Sequence, residues 1–120
     1  MGTMPSVLSK QECVGRLLPV QDALDILQGK WKLLIVVTLT YGPKRFKQIQ
    51  RDIDGITAKM LSKELKDLEM NELVERTVYA TTPVTVEYSM TPYGHTLKKL
   101  IAELHNWGTQ HRKRVMRKGK

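Results

Sequence analysis

The sequence predicts a mostly helical α+β fold: four helices, a two-stranded hairpin and a last helix, with the third helix, the fourth helix and the hairpin forming a winged helix-turn-helix. Three observations predict it. Apolar residues recur at helical spacing from Val20 to about Asn71, the period falls to two between Val74 and Met90, and a helical stripe returns from Leu97 to Trp107. With 120 residues, 41% of them apolar and 27% charged, one globular domain is expected. The expected divisions are an arm over 1–18, the domain over 19–110 and a basic tail over 111–120.

Residues 1–16 hold no sustained apolar period, which is why an arm is expected there. Val20, Ala23, Leu24 and Leu27 then follow i, i+3, i+4 and i+7, with Pro19 in a favoured first-turn position and Gly29 as the stop. A second helix is expected over Lys30–Thr40. It is apolar nearly all round, which suits a buried central helix, although the β-branched residues within Leu33–Val37 also fit a strand. Gly42-Pro43 ends it. Phe46, Ile49 and Ile53 space a short third helix, closed by Asp54-Gly55. Thr57 is the N-cap of the fourth, with Leu61, Leu65 and Leu68 as its buried stripe and Lys59, Lys63 and Lys66 on the other side. The hairpin alternates through Val74–Tyr79 and Val84–Met90 around Ala80–Pro83. Thr91 or Pro92 opens the last helix, whose stripe is Leu97, Leu100, Ile101, Leu104 and Trp107.

Charge narrows the function. Twenty Lys and Arg stand against twelve Asp and Glu, a net charge of +8. Two acid-free segments, Lys30–Arg51 and Gln110–Lys120, each carry six of the bases, so the remaining chain has eight bases against twelve acids. Such segregation suits one face turned to a polyanion. A helix-turn-helix supplies the geometry, because its second helix fits the major groove of double-stranded DNA with a free N-terminus near phosphate. The candidate DNA-binding residues are Thr57, Lys59, Ser62, Lys63 and Lys66 on the fourth helix, and Arg45 and Lys47 at the start of the third. Thr81 and Thr82 join them from the hairpin loop. Acids Glu64, Asp67 and Glu69 place the emphasis on the first two turns of the fourth helix.

Other classes fare less well. Leu33–Val37 is too short to cross a bilayer, and the first ten residues lack a basic segment followed by an apolar one, so a cytoplasmic protein without a membrane partner is expected. One cysteine, Cys13, excludes an internal disulfide and a cysteine-only zinc site. His95, His105 and His111 share no metal-ligand spacing, and neither a phosphate loop nor a nucleophile motif is present, so no enzyme and no cofactor is expected. A domain of this size buries only about 60% of its surface alone. Pairing of two copies through Val20 and Leu24 of the first helix and Leu100, Leu104 and Trp107 of the last would cover apolar surface otherwise left wet. A different class of function keeps the same fold: a winged-helix adaptor that faces another protein, its bases serving solubility.

Taken together, Pro19-Val20 with Ala23-Leu24, Gly29-Lys30-Trp31, Gly42-Pro43 with Arg45-Phe46, Lys59-Met60-Leu61, Leu65 with Leu68, Leu73-Val74-Glu75-Arg76, and Val86-Glu87-Tyr88-Ser89 with Thr91 and Gly94 resemble the HxlR-type winged-helix transcriptional regulators. The resemblance covers roughly residues 19–108. It implies a bacterial or archaeal transcription factor, repressor or activator, that dimerises through its first and last helices on a pseudo-palindromic operator. It also leaves room for a small-molecule or redox effector. Two positions depart from the family. Many members carry a cysteine directly before the Pro-Val pair, where this chain has Leu18; its thiol, Cys13, lies five residues upstream. Relatives often place a base before the Val-Glu-Tyr segment, where Thr85 stands here, which leaves wing contacts to hydroxyls and backbone.

Overall fold

A computed structural model describes residues 9–118; the first eight residues of the expected arm and the last two of the tail lie outside the described residues. The first helix, α1, spans Lys10–Leu27 and so begins well before the expected start at Val20. The reason is a capping box. Ser9 Oγ accepts the Glu12 amide at 3.1 Å and Glu12 Oε1 accepts the Ser9 amide at 2.9 Å, which satisfies two orphan donors without any apolar period. Those same Ser9 bonds hold the Glu12 carboxyl below its ordinary value. Pro19 therefore sits inside the helix rather than in its first turn. Every side chain from Lys10 to Asp25 is exposed, and only Leu27 is buried.

After Gly29, whose φ of 92° suits glycine, α2 runs Lys32–Leu39. It is helical, which settles the strand alternative, and it buries Ile35, Val36 and Leu39 while Leu34 stays exposed. The third helix, α3, spans Phe46–Asp52, and α4 spans Ala58–Met70. Gly55, at φ 88°, makes the turn between them. Thr57 caps α4 as expected, its Oγ1 accepting the Met60 amide at 3.1 Å. Leu61, Leu65 and Leu68 face the core with Ile49, Ile53 and Ile56. Each such side chain contributes about 2 kcal/mol of burial.

The hairpin pairs β1 (Val74–Tyr79) with β2 (Thr85–Met90) antiparallel, Val74 opposite Met90 and Tyr79 opposite Thr85. Lys44 adds a one-residue bridge on the outer edge of β2, exchanging backbone hydrogen bonds of 2.9 and 2.8 Å with Tyr88. The root of the hairpin is thereby tied to the segment before α3.

The last helix departs from expectation at both ends. It opens as a 3-10 turn over Gly94–Leu97, and the α-helix, α5, runs Lys98–Lys118, so the expected tail is helical as far as it is described. Thr91 explains the tight entry. Its Oγ1 donates to the Glu72 carbonyl at 2.6 Å and accepts the Gly94 amide at 2.8 Å, while its own amide donates to the Leu73 carbonyl at 3.1 Å. The turn between α4 and β1 and the start of the last helical segment are thus clamped to one residue. The radius of gyration is 17.9 Å, against about 13.6 Å for a compact chain of this length. No helix among the described residues is long and apolar enough to cross a membrane.

Candidate nucleic-acid interface

The α4 candidates share a surface. At 100° per residue Lys59, Ser62, Lys63 and Lys66 fall within about one third of the helix circumference, the lysines opposite the leucines and Ser62 on the flank, and all four are exposed. Thr57 stands at the head of that face, and its cap leaves the remaining first-turn amides directed outward. Lys63 makes one ion pair, 3.5 Å from Asp67, between side chains open enough to water that it takes little from the lysine's availability.

Arg45 and Lys47 stand exposed at the start of α3, where the Arg45 amide donates to Gln48 Oε1 at 2.8 Å. The hairpin loop is elsewhere. Thr81 and Thr82 sit at the tip, roughly 17 Å of strand from the root at Val74. Thr81 Oγ1 donates to the Pro83 carbonyl at 2.7 Å and meets Thr85 Oγ1 at 2.9 Å, so this hydroxyl shapes the loop; Thr82 is exposed.

The basic segment Lys30–Arg51 divides in the folded chain. Lys32 is only 6% exposed and joins α2 to α4 through Glu64 at 2.5 Å and Asp67 at 3.3 Å. It is a structural cation rather than part of a surface for polyanions. Burial pushes the Lys32 ammonium down, and its bonds to Glu64 and Asp67 more than reverse this, leaving it above its ordinary value. The Lys32 hydrogen bond in turn holds the Asp67 carboxyl low. Lys44 pairs with Asp52, and Lys30 lies 4.7 Å from the Trp31 ring centroid. Arg45, Lys47 and Arg51 are the bases of that segment left on the exposed side of α3. Two of the three acids of α4, Glu64 and Asp67, are bonded to Lys32, Asp67 while also meeting Lys63, and Glu69 makes no ion pair among the described residues.

Sequence reasoning missed one base. Arg76, on β1, lies with Ser62 and Lys66 around a notch of about 420 Å³ between α4 and the hairpin. The signal was available, because Arg76 keeps the parity of buried Val74 and so points to the side of the hairpin that packs on α4.

The candidate seam residues Val20, Leu24, Leu100, Leu104 and Trp107 are all exposed in the single chain, Leu24 and Trp107 by 62% and 68%. Trp107 stacks on His111 at 5.1 Å between ring centroids. Cys13 is exposed on α1.

Residues 26–116 match the model of a family described as HxlR-like helix-turn-helix. The chain is similar to the HTH-type transcriptional regulator YodB of Bacillus subtilis (strain 168), 43% identical over 91 residues that cover 76% of this chain and 81% of YodB. It is also similar to the HTH-type transcriptional regulator YdeP of the same organism, 38% identical over 97 residues covering 81% and 76%. Among solved structures it resembles the redox regulator HypR in its reduced form, with a TM-score of 0.77, 37% identity and coverage of 82% of this chain and 97% of that one. The reduced form of B. subtilis YodB gives a TM-score of 0.68 at 38% identity, covering 87% and 95%.

Proposed function

This chain belongs to the HxlR-like helix-turn-helix family, and we propose that it is a cytoplasmic, homodimeric repressor that occupies a pseudo-palindromic operator. It is a DNA-binding transcriptional regulator, and no catalytic step enters the reading. The observation that carries the reading is the face of α4: Lys59, Ser62, Lys63 and Lys66 exposed behind the Thr57 cap, with Glu64 and Asp67 bonded to Lys32. In the major groove this face gives Lys59, Ser62 and Lys63 access to base edges and phosphates, while Lys66, Arg45 and Lys47 lie toward the flanking backbone. Thr81 and Thr82 bring the hairpin tip to the adjacent minor groove.

Two copies supply the second half-site. The exposed apolar residues of α1 and α5 support a seam through Val20, Leu24, Leu100, Leu104 and Trp107. An 18-residue helix without cover of its own is marginal in water, and a partner copy supplies that cover. The paired α4 helices would then address sites about 34 Å apart. An effector, small-molecule or redox, fits this architecture; the thiol of Cys13 does not occupy the position before the Pro-Val pair.

The test is a gel shift with the DNA upstream of the chain's own gene, titrated with salt against non-specific competitor. Lys59→Ala with Lys63→Ala should weaken binding and lower the log–log salt slope by about two. Parent-like affinity in that double variant would sink the assignment. Weak retardation indifferent to sequence would favour the protein–protein adaptor instead.

A further inference from the structure

We propose that the notch between α4 and β1 seats one backbone phosphate of the bound DNA, with Arg76 as its principal donor; this rests on the DNA-binding reading above. On α4, Ser62, Lys66 and Glu69 follow one another at i, i+4 and i+7, and Leu65 beneath them is buried. On the hairpin, Arg76 stands opposite Tyr88 in the antiparallel register, and side chains of such a pair project to the same face. That face continues the parity of buried Val74, so Arg76 is aimed back toward α4 just where the core ends.

The place of the notch on the helix decides what it meets. At 100° per residue Lys59 and Lys63 form the front of α4, the leucines its back, and Ser62 lies between the two. With the front in the major groove, that flank faces the groove wall, where the sugar-phosphate backbone runs. Among the described residues neither Lys66 nor Arg76 is in an ion pair, although Glu69 lines the same notch. Two uncommitted cations and a hydroxyl suit a phosphate, and a guanidinium fork matches two of its oxygens at once. Glu69 lies one turn past Lys66 and repels an anion from the far end, which confines the phosphate to the Ser62 side.

The experiment uses the full chain and a duplex that the parent selects from a random pool, with binding measured across a potassium chloride series. Arg76→Ala should weaken binding about tenfold and lower the log–log salt slope by about one, with the selected sequence unchanged. Arg76→Lys should keep the slope and recover only part of the affinity. Glu69→Gln should tighten binding several-fold. A parent-like slope in Arg76→Ala, or a changed sequence preference, overturns the proposal. Should Arg76→Ala not fold, parent-like binding by both Arg76→Lys and Glu69→Gln overturns it equally. The Lys59→Ala, Lys63→Ala variant runs beside them. If it loses affinity while the notch variants do not, only the notch fails; if it too binds like the parent, the DNA-binding surface itself is wrong.

Discussion

Replacing Lys32 by Met should destabilise the chain by about 3 kcal/mol, and the size of that loss tests how α4 is held. The ammonium is 6% exposed and lies 2.5 Å from Glu64 and 3.3 Å from Asp67. Removing one partner of a buried ion pair costs about 3–5 kcal/mol, because the other charge is left without compensation. The lower end applies, since the Asp67 side chain keeps 38% of its exposure and water relieves part of the loss. Urea denaturation at fixed protomer concentration measures it, and for a chain of this length the melting midpoint should fall by roughly 12 °C. Adding Glu64→Leu should restore most of the loss, since an apolar pair of similar volume replaces a buried ion pair with little penalty. The pH profile follows from the same bonds. Lys32 is raised, so its contribution is complete below the unfolded lysine value of about 10.4 and is lost as pH climbs through its higher folded value. Asp67 is lowered, so its contribution is present above about 3.9 and is lost as pH drops through its lower folded value. Both limbs should flatten in Lys32→Met. A loss under about 1 kcal/mol, or a double variant no more stable than the single, would refute the reasoning.

Three further outcomes are expected. A Cβ on Gly94 would stand 2.1 Å from the Leu73 carbonyl oxygen and 2.6 Å from Met90 Cε, so Gly94→Ala should cost about 3 kcal/mol in a calorimetric melt; a neutral result would mean the Thr91 turn is looser than described. Thr57→Ala removes the α4 cap and should cost about 1 kcal/mol, while Thr57→Ser should stay within a few tenths in the same urea titration. Leu104→Asp should leave the protein monomeric at micromolar concentration by sedimentation velocity; an unchanged dimer would remove α5 from the seam.

The helix-turn-helix and the hairpin were legible because their residues serve a core within the single chain. Leu61, Leu65 and Leu68 show the helical period, Val74 and Met90 close the alternation, and Thr57 marks the start of α4. The beginning of α1 was not legible from periodicity. The part of α1 before Val20 has no core to face in the single chain and carries no such stripe, and only the Ser9–Glu12 box announces it. Lys32 misled for another reason: its partners lie 32 and 35 positions along the chain, and a buried cation looks in sequence like any surface base. Arg76 is not legible from alternation alone, because that pattern marks the core at Val74 and not where the next residue on the same face points once the core ends. The α4 face itself was readable, since one-helix geometry is fixed by spacing alone.

The Thr91 clamp ties the turn after α4 to the 3-10 entry of α5, which makes α5 an arm reaching away from that joint. Over 21 residues that arm is about 31 Å long, so a swivel of ~5° at its far end carries ~3 Å of travel, close to the 3.4 Å rise of one base-pair step. In the proposed dimer, a change in how the two α5 arms cross would re-gauge the span between the reading heads.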